Sequence, residues 1–376
     1  MCVVKVRTTW LRMLKRLLGR KPTQTAPTIQ RSSRASSRWA AVMLSPDRRV
    51  RVVCIERETE SAVRVCIEPV DGGDWIYRAG QYLTHCFDID GQTQRRPYSI
   101  CVAEGARALW FACKRVDGGR VSAFVCDELA VGDEYSVRGP SGSFTLDDAP
   151  GPLLFIAAGC GITPVISLIE TALARDPQRA VQLIYANRDQ QSIMFSGRLE
   201  ALTRQHGSFQ LTHVLSRPQA GWDGPCGRLN DQKLAGLVTL GSDTRAYLCG
   251  PQAMMQSIRE TLLGIGMSAE AVQSEAFTPA ARAVQAHPGA PQTVHFARSG
   301  QSVVQAPGQS ILDAALAHGV AVDYSCTVGG CAACKLRVIK GETLMDEPNC
   351  LSDSERAAGY TLACSAYALG PVEIDA

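Results

Sequence analysis

From Arg48 onward, apolar and polar positions alternate with a period of two, as half-buried strands require. Residues 49–55 and 62–67 read as a hairpin. Residues 82–89, 98–102 and 109–115 read as further strands of a small antiparallel barrel that closes near Thr145. Past Gly151-Pro152 the texture changes. Leu153-Leu154-Phe155-Ile156-Ala157-Ala158 is apolar throughout, which suits a parallel strand buried on both faces, and a helix over 165–174 follows. Strands at 181–185, 210–215 and 245–248 with helices between them imply an α/β domain on a parallel sheet. Residues 278–292 are rich in Ala and Pro and have no period, so they read as a linker. A hairpin (292–296 with 302–304) and a helix over 310–317, capped by Ser310, open the last segment.

Composition changes this picture at one end only. The 376 residues carry a net charge of +3, but residues 1–40 hold ten Lys/Arg and no Asp/Glu, which leaves the rest at −7. Nothing in the body of the chain therefore suggests nucleic-acid binding. In the basic extension, 1–47, Trp10, Leu11, Leu14, Leu17 and Leu18 recur at helical spacing between Arg12, Lys15, Arg16 and Arg20. Charges interrupt the apolar stretch too often for a transmembrane span or a signal peptide. One reading is a helix, residues 8–20, making peripheral contact with an anionic membrane surface. The others are a disordered extension and a transit peptide. The 15 cysteines are scattered rather than framed as a disulfide scaffold, which argues for a reducing, cytoplasmic setting.

Four of those cysteines carry chemistry. Cys326, Cys331 and Cys334 are spaced C-x4-C-x2-C, and Cys364 follows. Two irons need two thiolates each, and this is the plant-type spacing for a 2Fe-2S cluster. Gly329 and Gly330 let the loop curl and turn N–H groups toward the sulfurs. Zinc is the alternative, but zinc sites pair C-x2-C knuckles and only one is present here. Upstream, Gly118-Gly119 opens a helix and offers N–H groups to a phosphate. Gly159-Cys160-Gly161-Ile162-Thr163-Pro164 follows a strand and leads into a helix, as a dinucleotide-binding turn does, although Pro164 replaces the third glycine. Arg188, Ser216-Arg217 and Cys249-Gly250-Pro251 each follow a strand, where ligands of parallel sheets bind. No acidic residue stands in the Ser216-Arg217 turn, and an Arg fork suits a 2′-phosphate, which puts NADPH ahead of NADH.

Arg96-Pro97-Tyr98-Ser99 followed by Gly118-Gly119-x-Val121-Ser122, then the Gly-x-Gly-x-Thr-Pro turn, resembles the ferredoxin–NADP reductase family. The cysteine segment resembles plant-type ferredoxins, with a match over about 293–376. The body of the chain, about 48–376, is thus similar to fused reductases that serve oxygenases, desaturases and phenylacetyl-CoA epoxidase. The resemblance implies three domains: an antiparallel β-barrel for flavin (48–149), an α/β parallel-sheet domain for NAD(P) (150–277) and, after the linker, an α+β (β-grasp) ferredoxin domain (293–376). It implies that Arg96 meets the flavin pyrophosphate, that Tyr98 packs along the flavin, and that Gly118, Gly119, Val121 and Ser122 hold phosphate. Ser99, Cys249 and Glu275 would form the catalytic group near flavin N5, with Gly250 and Pro251 beside the nicotinamide. Phe277 would shield the flavin. Gly159, Gly161, Thr163, Pro164, Arg188, Ser216 and Arg217 would hold the nucleotide, and Ser216-Arg217 would clamp its ribose phosphate. FAD stands ahead of FMN, which some relatives with the same domain order use.

Hydride donors deliver two electrons and a 2Fe-2S cluster takes one, so a flavin between them makes a two-to-one splitter. The expected acceptor is an iron-dependent oxygenase, desaturase or hydroxylase. The cluster domain, with nine Asp/Glu against five Lys/Arg, offers an acidic docking face. Two rivals are a self-sufficient diaphorase or quinone reductase and a non-catalytic zinc module.

Overall fold

The computed structural model describes residues 47–376 apart from 239–242, 278–288, 325, 326, 328, 331, 347, 348, 350 and 352. The basic extension up to residue 46, most of the linker, Cys326 and Cys331 therefore lie outside the described residues. Among those described, no helix is long and apolar enough to cross a membrane.

Six antiparallel strands form the first sheet: β1 (Arg48–Thr59), β2 (Ala62–Pro69), β3 (Tyr82–Ile89), β4 (Gln92–Ser99), β5 (Leu109–Lys114) and β6 (Glu134–Ser141), in the order β4-β3-β6-β1-β2-β5. A bridge between Ile100 and Phe111 brings the two edges together, and a short helix, α1 (Arg120–Asp127), packs on the barrel end. The strand expected at 98–102 lies earlier, at Gln92–Ser99. Its polar run, Gln92 to Arg96, hides the period of two, as suits a strand at the edge of the sheet.

Val50, Val65, Leu83, Phe87 and Phe111 fill the barrel together with one buried polar residue, His85. The His85 ring shares a 2.9 Å hydrogen bond with the Tyr135 hydroxyl, and burial pushes its pKa from 6.5 down to about 3. The native imidazole is thus neutral while the unfolded one titrates at 6.5. Stability present above that pH is lost as pH falls toward 3, because unfolding takes up a proton. At pH 5 the loss is about 2 kcal/mol. Urea midpoints at pH 7 and pH 5 measure it; a His85→Leu variant should show a pH dependence smaller by that amount, and an unchanged dependence contradicts a neutral native His85.

The second sheet is parallel, in the order β11-β10-β7-β8-β9, from β7 (Leu153–Ala158), β8 (Val181–Asn187), β9 (Phe209–Leu215), β10 (Arg245–Cys249) and β11 (Val272–Glu275). Helices α2 (Ile162–Arg175), α3 (Ser196–Gln205), α4 (Asp231–Leu237) and α5 (Gln252–Gly264) connect them. Helix α2 begins at Ile162 rather than at 165. Thr163 and Pro164 belong to its first turn, where a proline costs no intrahelical bond. This helix also grips the chain that leaves β4. Ser167 donates to the Val102 carbonyl at 2.6 Å, and the Glu104 N–H donates to Thr171 at 3.1 Å. From α3, Arg198 reaches the Cys101 carbonyl at 3.0 Å. The chain leaving β4 is therefore locked to the parallel-sheet domain.

The last domain is a mixed sheet, β13-β12-β18-β14-β16, with a separate β15–β17 pair. Its strands are β12 (Gln292–Phe296), β13 (Gln301–Gln305), β14 (Lys335–Lys340), β15 (Thr343–Met345), β16 (Tyr360–Leu362), β17 (Ala366–Ala368) and β18 (Val372–Ile374). Helix α6 (Ile311–Ala317) packs across them, capped by Ser310, whose hydroxyl accepts the Asp313 N–H at 3.1 Å, and α7 (Asp353–Ala357) precedes β16. The short strand expected at 302–304 extends to Gln301–Gln305.

Candidate functional site

Register decides which way the residues of β4 face. Arg96 stands opposite His85, and Tyr98 opposite Leu83. Directly opposed residues share a face, so Tyr98 follows Leu83 toward the barrel seam. Its ring lies 5.1 Å from Phe111 and 5.4 Å from His85. Its hydroxyl accepts from the Cys113 thiol at 3.3 Å, and burial pushes the phenol pKa well up. Ser99 ends the strand 4% exposed, whereas Arg96 is exposed. Helix α1 follows Gly119 as its N-cap with no side-chain cap, so its positive dipole end suits an anion. Ser122 is differently employed from the expectation. Its hydroxyl accepts the Val116 N–H at 3.1 Å and donates to the Gly119 carbonyl at 3.0 Å, locking the loop. Phe277, 37% exposed, is not a core aromatic. An exposed cation, an uncapped helix start, a tyrosine at the seam and an uncovered phenylalanine together fit a flavin dinucleotide.

The second group gathers at the C-terminal ends of the parallel strands. A Cβ on Gly161 would stand 2.1 Å from the Cys249 carbonyl, so only glycine lets this turn meet that strand end. Thr163 donates to the Cys160 carbonyl at 3.0 Å, and Tyr185, for which no motif spoke, donates to the Gly159 carbonyl at 2.9 Å. Cys249 pairs with Ala157 on one side and Glu275 on the other. Burial first, and then the Glu275 charge, push the Cys249 thiol well above its usual pKa, so it stays a neutral thiol. Gly250-Pro251 leads from there into α5. The Ser216 N–H donates to the Asn187 carbonyl at 3.0 Å, and the Arg217 N–H to the Arg188 carbonyl at 2.7 Å. Two arginines distant in sequence thereby stand side by side at the ends of neighbouring strands. Arg188 also meets Asp189 at 3.0 Å.

In the last domain, Cys334 and Cys364 are 2% and 6% exposed. The Gly329 N–H donates to the Cys364 sulfur at 3.2 Å, and the Cys364 N–H to the Cys334 sulfur at 3.5 Å. Thr327, Gly329 and Ala332 all have positive φ, at 58°, 72° and 56°, which produces the expected curl. Backbone amides aimed at cysteine sulfurs fit thiolates that carry an iron–sulfur cluster. A cleft of about 350 Å³ joins the regions: Gln94, Arg95 and Arg96 line one wall, Tyr324, Thr327 and Cys364 the other. Arg96 and Cys364, expected to serve different cofactors, open onto the same space.

Comparison with known proteins agrees with this order. Profiles for an oxidoreductase FAD-binding domain, an oxidoreductase NAD-binding domain and a 2Fe-2S iron-sulfur cluster binding domain match residues 72–146, 155–260 and 294–369. One component of the 1,2-phenylacetyl-CoA epoxidase of Escherichia coli is 34% identical over 85% of this chain and 94% of its own. The chain belongs to the ferredoxin–NADP reductase family with a fused C-terminal 2Fe-2S ferredoxin. Another member, the glycine betaine monooxygenase reductase subunit of Pseudomonas aeruginosa, is 30% identical over 87% of this chain and 94% of its own. The solved phthalate dioxygenase reductase aligns with a TM-score of 0.66 at 25% identity, covering 88% of this chain and 98% of that one. As a member of this family, the protein is an NAD(P)H oxidoreductase that carries electrons through FAD and a 2Fe-2S cluster.

Proposed function

We propose that the protein draws electrons from NADPH and delivers them singly to an iron-dependent oxygenase, desaturase or hydroxylase, using domains bounded at 48–149, 150–277 and 293–376. The observation that carries this reading is the cleft onto which both Arg96 and Cys364 open. The epoxidase and monooxygenase systems named for the relatives support an oxygenase acceptor. When bound, the flavin would take up one hydride, two electrons at once, and the cluster would supply a one-electron path out.

The residues of this chain position and protect. Arg96 and the α1 amides would hold the pyrophosphate, and Tyr98 and Phe277 would enclose the flavin ring. Cys249, as a neutral thiol, adds no negative charge where a hydride must move. Ser99 and Glu275 would complete that polar group, Gly161 and Gly250 would admit the nucleotide close to the backbone, and Arg217 beside Arg188 would clamp a 2′-phosphate. Amides of Gly329 and Cys364 point at the sulfurs of Cys364 and Cys334 and would offset their negative charge as cluster ligands. Contact of residues 8–20 with an anionic membrane surface belongs to the same reading and rests on their charge pattern alone.

Anaerobic titration with NADPH tests the reading. Visible absorbance should bleach for both a flavin and a 2Fe-2S cluster, with the EPR signal of a reduced cluster appearing. A colourless protein, or flavin bleaching without any cluster signal at full reduction, overturns it.

A further inference from the structure

One contact between the barrel and the cluster domain is not used by any expected cofactor ligand. Arg138 lies on β6 and pairs with Thr84 of β3, the strand next to β4, so it belongs to the barrel wall that also carries Arg96. Its guanidinium carbon stands 4.4 Å from the centroid of the Tyr324 ring. Asp47 holds the same guanidinium at 2.8 Å and so sets its orientation before Tyr324 is met. Tyr324 in turn packs against the core of the cluster domain. It precedes the cysteine loop by two positions and lines the cleft with Thr327 and Cys364. The barrel therefore grips the cluster domain at the root of the loop whose cysteines are expected to hold iron.

We propose that Asp47, Arg138 and Tyr324 form a latch that docks the cluster domain on the flavin barrel and sets the separation across which electrons leave the flavin. Arg138 and Tyr324 are positioning residues. Neither is itself an expected flavin ligand or cysteine ligand, and they act by holding two walls of one cleft in register. The proposal rests on the reading of the function given above. A planar guanidinium over an aromatic face is attractive over a short range only, so removing either partner frees the interface, and removing Arg138 does so without touching either domain's core. Electron transfer falls steeply with separation, so a freed domain transfers well only in the fraction of time it remains docked.

The test separates the two halves of the path. Ferricyanide takes electrons directly from reduced flavin, whereas cytochrome c takes them through the cluster. Arg138→Ala and Tyr324→Leu should each lower NADPH-driven cytochrome c reduction by about tenfold, the scale of a partly desolvated cation–π contact, and leave ferricyanide reduction unchanged. Arg138→Lys and Tyr324→Phe, which keep a cation and a ring, should retain most of the rate. The double variant should be little worse than either single one, because both remove the same contact. A readout independent of activity is amide hydrogen exchange, which should quicken at 93–96 and 313–316 in both disruptive variants and stay as before inside the parallel sheet. Equal loss of both activities, additive effects, or unaltered exchange at the cleft walls overturns the latch. If the unmodified protein shows no NADPH-driven flavin bleaching, the fault lies with the function on which the latch rests.

Discussion

A Cys364→Ser variant should keep NADPH-driven ferricyanide reduction within about twofold of the unmodified protein and lose transfer to cytochrome c by roughly a hundredfold, a scale met when a metal ligand's environment is altered. Cys364 is nearly buried, and the Gly329 N–H already points at its sulfur. An alkoxide is a harder ligand than a thiolate and reaches less far from the backbone, so the cluster is lost or misplaced. The barrel and the parallel sheet pack into cores distinct from that of the cluster domain and keep their own contacts. The visible spectrum should retain the flavin bands and lose the cluster absorption. A variant in which both activities fall together would show that Cys364 supports the whole fold, whereas full cytochrome c reduction would remove it from the ligand set.

The second large effect concerns the nucleotide. Arg217→Glu should lower kcat/KM for NADPH by on the order of a hundredfold and leave that for NADH within a few-fold. A charge-assisted bond to phosphate contributes about 1.5–3 kcal/mol, and the new carboxylate adds repulsion where attraction stood. Arg217 is exposed and its amide is tied to the Arg188 carbonyl, so the substitution alters charge without opening the core. Steady-state kinetics with both nucleotides give the ratio. Equal loss for NADPH and NADH would mean that Arg217 supports the strand end and does not read the 2′-phosphate.

Much of the fold was legible from one-dimensional patterns. The apolar run Leu153–Ala158 is a parallel strand at those same bounds, because a strand buried on both faces has no polar positions to blur it. Ser310 caps a helix as its hydroxyl predicts. The misplaced strand at β4 and the late start given to α2 share a cause. In both, a motif side chain sits where function or a helix start overrides the periodicity that marks an element. Ser122 shows a further limit. Its place in the Gly-Gly-x-x-Ser run is visible in sequence, but the direction of its hydroxyl depends on the loop that folds around it.

The sequence alone determined the order of the three domains, the spacing of the four cysteines and the glycine turn after β7. Each of these is a property of a single continuous segment, where period and spacing follow from local backbone geometry. The tertiary structure decided that Cys249 lies between Ala157 and Glu275, that Arg188 and Arg217 meet, and that Arg96 shares a cleft with Cys364. It alone set Arg138 over Tyr324. These pairings join residues from different elements, and strand order, register and domain docking create them through packing that no local pattern encodes.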